Sequence, residues 1–226
     1  MDLAVVFDFD GTLVDTEWPI YERARLAAEA LGFAIGEADW ARFAVGRSFN
    51  EPWWEDLAAH LRVAVTAEDF AAARAAVDGP LSRDDSELTD GASDVVAALH
   101  RAGVPLAVAS GSDVEWLEHH LGRFGLTALL PLLVGIDTPG VAAGKPAPDL
   151  YRVALERLGS DPARTVAVED THRGIASARA AGVGRVVAVP SRLTTYHDLS
   201  AADLVVPSLA ALDLATLTDL VADRHP

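Results

Sequence analysis

The sequence predicts an α/β fold in which a doubly wound parallel sheet carries an inserted helical segment. Three observations lead there. Short, wholly apolar runs alternate along the chain with stretches of helical spacing, which is the pattern of a parallel sheet covered by helices on both faces. The apolar runs are four to six residues long, the length of buried strands. Between residues 16 and 80 the alternation stops, and an Ala-, Glu- and Arg-rich stretch at helical spacing replaces it. Strands are expected near 3–8, 105–109, 132–134, 165–168, 185–189 and 204–206, and helices near 92–102, 113–124, 148–158 and 173–181. The predicted organisation is a Rossmann-like core of residues 1–15 and 81–226, with an all-α domain at 16–80. Two connections, near 12–16 and 79–91, join them. The second contains Asp78-Gly79-Pro80-Leu81-Ser82-Arg83, which is strong turn chemistry.

The first strand ends in Phe7-Asp8-Phe9-Asp10-Gly11-Thr12. Ligands of such sheets sit at the carboxyl ends of strands, and side chains two apart on a strand share a face, so Asp8 and Asp10 are expected in one site. Two carboxylates there repel each other unless a cation or a proton intervenes. Gly11 permits a sharp turn out of the strand. Of the 18 basic residues, Lys145 is the only lysine, and it lies in Gly144-Lys145-Pro146. In so arginine-biased a chain, a lone ammonium suits a point contact with a phosphate oxygen or carboxylate, where a planar guanidinium fits poorly.

Composition narrows the class further. The formal net charge is −16, so nucleic acid and anionic membranes are poor partners, and an anionic substrate needs local attraction. With no cysteine, disulfides, thiolate metal sites and a cysteine nucleophile are excluded. No apolar run approaches a membrane span, and the N-terminal apolar residues read as a strand and not a leader, so a cytoplasmic location is expected. The chain is expected to be a monomer or a weak homodimer.

Four segments in order give the chain its resemblance to the haloacid dehalogenase-like superfamily, over residues 3 to about 210. They are the Asp8–Thr12 segment; Leu106-Ala107-Val108-Ala109-Ser110 with Gly111-Ser112; Gly144-Lys145-Pro146-Ala147-Pro148-Asp149; and Val166-Ala167-Val168-Glu169-Asp170-Thr171, running on to Gly182. Within it the chain is most similar to the phosphoglycolate phosphatase and β-phosphoglucomutase group, whose helical cap follows the first motif. That resemblance implies an Mg2+-dependent phosphatase acting on a small phosphorylated metabolite through an aspartyl-phosphate. Asp8 would be the nucleophile, ionised at its ordinary pKa of about 3.9. Asp10 would be the general acid and then the base, holding a proton at neutral pH in the dry site under the cap. Mg2+ would be held by Asp8 and Asp170 with the Asp10 carbonyl, and by Glu169 directly or through water. Ser110, the backbone N–H of Gly111 and the start of the next helix would bind phosphate oxygens. Lys145 would tie phosphate to Asp8, and Arg47, in the Val45-Gly46-Arg47-Ser48 turn, would reach the substrate. Thr12 is expected to order the turn, Thr16 to cap a helix or act as a hinge, and Thr171 to support the site. Asp15 is expected to fix the hinge.

Two other readings compete. A β-phosphoglucomutase would carry arginine where this chain has Phe49, and a non-catalytic phosphate-binding or phospho-acceptor protein of the same fold would lack turnover. Asp10 argues against a dehalogenase, and the absence of lysine in 16–80 argues against Schiff-base chemistry. Trp40 and one of Trp53 and Trp54 are expected in a helical core. His172 is expected in a solvated loop, and His119 and His120 on a surface helix.

Overall fold

The computed structural model describes residues 3–47, 52–78 and 85–222. Six parallel strands form the main sheet: β1 (Ala4–Phe7), β4 (Leu106–Ala109), β5 (Leu133–Val134), β6 (Thr165–Glu169), β7 (Arg185–Ala188) and β8 (Leu204–Val205). Their spatial order is β5-β4-β1-β6-β7-β8, so β1 lies between β4 and β6, and the chain leaves it first to one side and then to the other. Val5 pairs with both Leu106 and Val166, and Phe7 with both Val108 and Val168.

The strands are apolar on both faces because both are covered. Val5, Phe7, Val108, Val166 and Val168 point to one side, where α5 (Ala92–Arg101), α6 (Val114–Arg123) and α9 (Leu214–Ala222) bring Val96, Leu99, Leu117, Leu121 and Leu217. Val6, Ala107, Ala109, Ala167 and Val186 point to the other, against Leu150, Tyr151 and Ala154 of α7 (Asp149–Leu158) and Ile175 and Ala178 of α8 (His172–Ala180). The alternation is the two-residue period of a strand written into two separate cores.

The inserted stretch folds as α1 (Glu17–Ala30), α2 (Glu37–Phe43), α3 (Trp53–Leu61) and α4 (Ala67–Asp78). Its core is Tyr21, Ala24, Ala27, Ala28, Trp40, Trp54, Leu57 and Phe70. Small alanines on α1 admit the large rings, and Trp54 stacks on Phe70 at 3.9 Å between centroids. Trp40 and Trp54 are buried and Trp53 is half-buried, as expected from their spacing. The segment after β7 meets these helices. Leu193 joins their core, the Arg192 guanidinium covers the Trp18 ring at 3.3 Å and pairs with Glu37 at 2.9 Å, and His197 Nε2 donates to the Ala41 carbonyl at 2.8 Å.

A two-stranded ribbon was not foreseen. β2 (Val14–Asp15) and β3 (Glu87–Leu88) form an antiparallel ribbon at the feet of the insertion, with Val14 opposite Leu88. Thr89 locks it, donating its Oγ1 to the Thr12 carbonyl at 2.5 Å. Two-residue strands are too short for periodicity to reveal. Helix α9 was also missed, although Leu214, Leu217 and Val221 carry its spacing. The linker residues 79–84, with Ser48 and Phe49, lie outside the described residues.

Candidate active site

The site lies at the carboxyl end of the sheet, where the chain exits its central strands. Asp8 follows β1, Ser110 follows β4, Glu169 ends β6 with Asp170 next, and Lys145 precedes α7. Asp8, Glu169 and Asp170 are all buried and offer carboxylate oxygens within 4.8 Å of one another. Lys145 Nζ lies between two of them, donating to Asp8 Oδ1 and, at 2.6 Å, to Glu169 Oε1. Thr12 Oγ1 donates to Asp8 Oδ2 at 3.1 Å, so both oxygens of Asp8 are oriented. Thr12 therefore acts on Asp8 itself, beyond ordering the turn. Tyr151, which no sequence motif singles out, donates its hydroxyl to Glu169 Oε1 at 2.7 Å.

Asp170 differs from its neighbours. It is fully buried, and neither carboxylate oxygen has a hydrogen-bond partner among the described residues. Burial and the charges of Asp8 and Glu169 push its carboxyl well above the usual range. Asp8 is pushed up to about 7, chiefly by burial and then by Glu169, with Lys145 pulling the other way. This corrects the expectation of an ordinary, fully ionised nucleophile: the protein's own groups under-compensate its charge. Burial would lower the Lys145 pKa, but the Asp8 and Glu169 carboxylates outweigh it and hold the ammonium charged. Glu17, partly buried in the first turn of α1, is pushed up to about 8 by burial and by Asp10, Asp15 and Asp8. A first-turn glutamate reads as ordinary helix chemistry, so the sequence did not flag it.

Two glycines allow this packing. A Cβ on Gly11, whose φ is +85°, would lie 2.2 Å from Asp170 Oδ2, and one on Gly174 in α8 would lie 1.9 Å from Glu169 Oε2. Gly174→Ala is therefore expected to displace the Glu169 carboxylate and to destabilise the fold by about 1–3 kcal/mol, the usual scale for overpacking. Denaturant unfolding of the purified variant measures this.

Asp10 contributes no oxygen to the three-carboxylate cluster. Its Oδ1 accepts from Thr16 Oγ1 at 2.9 Å and Trp116 Nε1 at 3.1 Å, and its Oδ2 from Ser110 Oγ at 2.9 Å and Ser112 Oγ at 2.7 Å. Several expectations change here. Thr16 makes no side-chain capping bond to α1. The capping acceptor is Asp15, whose Oδ1 takes the Trp18 N–H at 3.1 Å. Ser110 is committed to Asp10, and Ser112 and Trp116 join the site without having been foreseen. At the start of α6, Asp137 accepts from Val114 N and Asp113 from Trp116 N, while Gly111 is exposed with open space beside it.

Other candidates fall elsewhere. Arg47 NH1 is held by Asp56 of α3 at 2.8 Å, which stands in place of the expected reach to the site. Its neighbour Gly46 does approach the site's rim: a Cβ on Gly46 would lie 3.5 Å from Thr171 Cγ2. Thr171 caps α8, accepting from Gly174 N at 3.0 Å, and its hydroxyl faces Glu169 Oε2 at 3.4 Å. His172 is exposed, as expected, but opens α8 instead of lying in a loop. His120 corrects the surface-helix expectation: it is fully buried, three residues from Leu117, and its ring lies 5.9 Å from that of Phe9.

A doubly wound α/β sheet that collects a lysine and buried, under-compensated carboxylates at its carboxyl edge defines an enzyme centre of oxygen donors. Comparison with known proteins agrees. A family model for haloacid dehalogenase-like hydrolases matches residues 3–182. CbbY of Rhodobacter capsulatus is 31% identical over 226 residues, covering 96% of this chain and 98% of its own. The mitochondrial (DL)-glycerol-3-phosphatase 1 of Arabidopsis thaliana is 32% identical over 218 residues, covering 91% of this chain and 70% of the plant protein. A haloacid dehalogenase family hydrolase of Deinococcus radiodurans, solved with bound phosphate and sodium, superposes with a TM-score of 0.73 at 28% identity over 94% of both chains. The chain belongs to the haloacid dehalogenase-like hydrolase family. Among the described residues no helix is long and apolar enough to cross a membrane.

Proposed function

We propose that this chain is a cytoplasmic, Mg2+-dependent phosphatase that hydrolyses a small phosphomonoester, such as a sugar phosphate, through a phosphoryl group carried on Asp8. The observation that carries this reading is Asp170, a fully buried carboxylate whose two oxygens have no hydrogen-bond partner among the described residues, beside the Asp8 and Glu169 carboxylates. Such a group is costly unless a cation meets it. The donor set is all oxygen, which fits a hard ion such as Mg2+. Asp8 and Asp170 would hold it with the Asp10 carbonyl, and Glu169 directly or through water. Bound there, Mg2+ would offset the repulsion between the carboxylates and a phosphate dianion.

The residues then divide the reaction. Asp8, aimed by Lys145 and Thr12, attacks phosphorus while the ester oxygen leaves and takes a proton from Asp10. Water next attacks the phosphoryl group, gives its proton to Asp10, and restores Asp8. Lys145 neutralises Asp8 and Glu169 throughout, and Gly111 lines the phosphate's place, with Ser110 reaching the phosphate only when its hydroxyl turns from Asp10. Residues 16–80 act as a cap over a core of residues 1–15 and 81–226, and Arg47, released from Asp56, contacts the substrate beyond its phosphate. The relatives named as phosphatases support hydrolysis of a phosphate ester.

The test is phosphate release from a panel of sugar phosphates and an aryl phosphate, with Mg2+ and with chelator. Release only with Mg2+ is expected. Faster conversion of β-glucose 1-phosphate to glucose 6-phosphate than release of phosphate, in the presence of a trace of the bisphosphate, would favour the mutase. Lys145→Ala is expected to lower kcat by about 100-fold, the scale of losing one charge-stabilising donor. Lys145→Arg should remain within about tenfold of the alanine variant, because a guanidinium fork cannot occupy a point between two carboxylates. Near-native kcat/KM in the arginine variant would show that charge alone suffices.

A further inference from the structure

The four donors around Asp10 are not equivalent. Thr16, Ser110 and Ser112 present hydroxyls, which rotate and can accept as well as donate. Trp116 presents an indole N–H, which only donates. Whatever Asp10 does, the oxygen facing Trp116 must remain an acceptor. The carbonyl oxygen of a carboxylic acid accepts better than its hydroxyl oxygen, so when Asp10 carries a proton the indole draws the carbonyl to Oδ1. The O–H then falls on Oδ2, between two serine hydroxyls that can turn to receive it.

The indole is itself fixed from behind. His120 Nδ1 donates to the Trp116 carbonyl at 2.9 Å, since a carbonyl cannot donate. The two rings lie 4.3 Å apart, and His120 meets the edge of Phe9, the residue between Asp8 and Asp10. Asp113 caps the first turn of α6 through the Trp116 N–H at 2.8 Å. The helix therefore offers the indole N–H at a set place relative to the strand end that carries both aspartates.

We propose that Trp116 is a positioning residue for Asp10: its indole N–H orients the carboxyl group so that Oδ2, the oxygen shared with Ser110 and Ser112, delivers the proton to the leaving group and later receives one from water. This rests on Asp10 acting as acid and base. In the first step the Asp8–phosphorus bond forms, the phosphorus–ester bond breaks, and the Oδ2 proton passes to the departing oxygen. In the second, a water proton returns to Oδ2 as the Asp8–phosphorus bond breaks. No further reactant is needed.

Leaving groups distinguish this role from a structural one. An alkyl phosphate expels a strongly basic oxygen that needs the proton, whereas an aryl phosphate expels a stable phenolate that does not. Trp116→Phe keeps an aromatic ring against His120 and removes the N–H. We expect kcat/KM on glycerol 3-phosphate, which reads the steps up to departure of the alcohol and not the later attack of water, to fall about tenfold, and kcat/KM on p-nitrophenyl phosphate to change less than twofold. Equal losses of kcat/KM on both substrates, no loss on either, or a gain on the alkyl ester would overturn the proposal. Thermal melting checks the fold, and if Trp116→Phe melts too low to assay, Trp116→Leu, which also lacks the donor, is held to the same outcomes. Asp10→Asn separates the two levels. It should lower kcat/KM on the alkyl ester at least 100-fold and on the aryl ester much less, the ratio of the two being the readout. A ratio unmoved by Asp10→Asn would overturn the acid–base reading itself, while a ratio moved by Asp10→Asn and not by the Trp116 variants would overturn only the role of Trp116.

Discussion

Asp8→Asn is expected to lower turnover of every phosphate ester by about 10⁴-fold or more, the scale on which removal of a covalent nucleophile acts, while leaving the fold intact. Asn keeps the shape of the buried side chain and an acceptor for Lys145, and the Thr12 hydroxyl can turn to accept from the new amide. It also removes one charge from a crowded acidic cluster, so the melting temperature should hold or rise. Steady-state kinetics on the purified variant measures the loss. Mass spectrometry of acid-quenched wild-type protein should find a phosphoryl group on the peptide containing Asp8 and none on the variant. Retained turnover in Asp8→Asn would end the aspartyl-phosphate mechanism.

The second large effect concerns stability. Asp170→Asn should abolish both activity and stabilisation by Mg2+, yet raise the melting temperature of the metal-free protein at pH 7–8. The sign follows from the raised carboxyls. Asp8 is lifted to about 7, and Asp170 is raised well above its ordinary value. Between an ordinary carboxyl pKa near 4 and the folded value, the folded chain binds more protons than the unfolded chain, so stability falls as pH rises. These groups thus favour the folded state at the acid side and oppose it increasingly through neutrality. The metal-free wild type should lose melting temperature from pH 5 to pH 8, and Asp170→Asn should lose less. Ligand linkage then adds about 2.7 kcal/mol when Mg2+ is at 100 times its Kd, in the wild type alone. A flat or rising melting temperature over that pH window would show that the cluster is compensated within the protein.

The chemistry of the site was legible where it sits on strand ends. An apolar run marks the strand and its exit, so Asp8, Ser110, Glu169 and Asp170 could be placed on one edge of the sheet from the residues alone. The lone lysine was legible as a contrast with seventeen arginines in the 18 basic residues. What escaped was partner choice among hydroxyls and rings. Thr16 has the sequence of a helix cap, but its hydroxyl turns to Asp10 because Asp15 already takes the Trp18 N–H. Trp116 lies over a hundred residues from Asp10, and only the sheet's crossover brings the two together. His120 could have been found, since Leu117 and Leu121 mark its side of α6 as the buried one. The Arg47–Asp56 pair could not, because nothing in a turn sequence states which of many carboxylates an arginine meets.

The place of β1 in the sheet has a consequence for how the chain is made. The strand that carries the nucleophile is flanked on both edges by partners that follow it far along the chain, as Val5 shows by pairing with Leu106 and Val166. At ribosomal rates of about 5–20 residues per second, β1 waits on the order of ten to thirty seconds for β6 to emerge. Until β4 emerges Ala-Val-Val-Phe has two unpaired backbone edges, and the edge that β6 fills stays open to the end of the wait. The helical insertion makes most of its core contacts within itself and can settle in part during the delay, before Leu193 completes its core. Assembly of the catalytic centre is then a late, long-range event, the regime of slow folding and of need for chaperones.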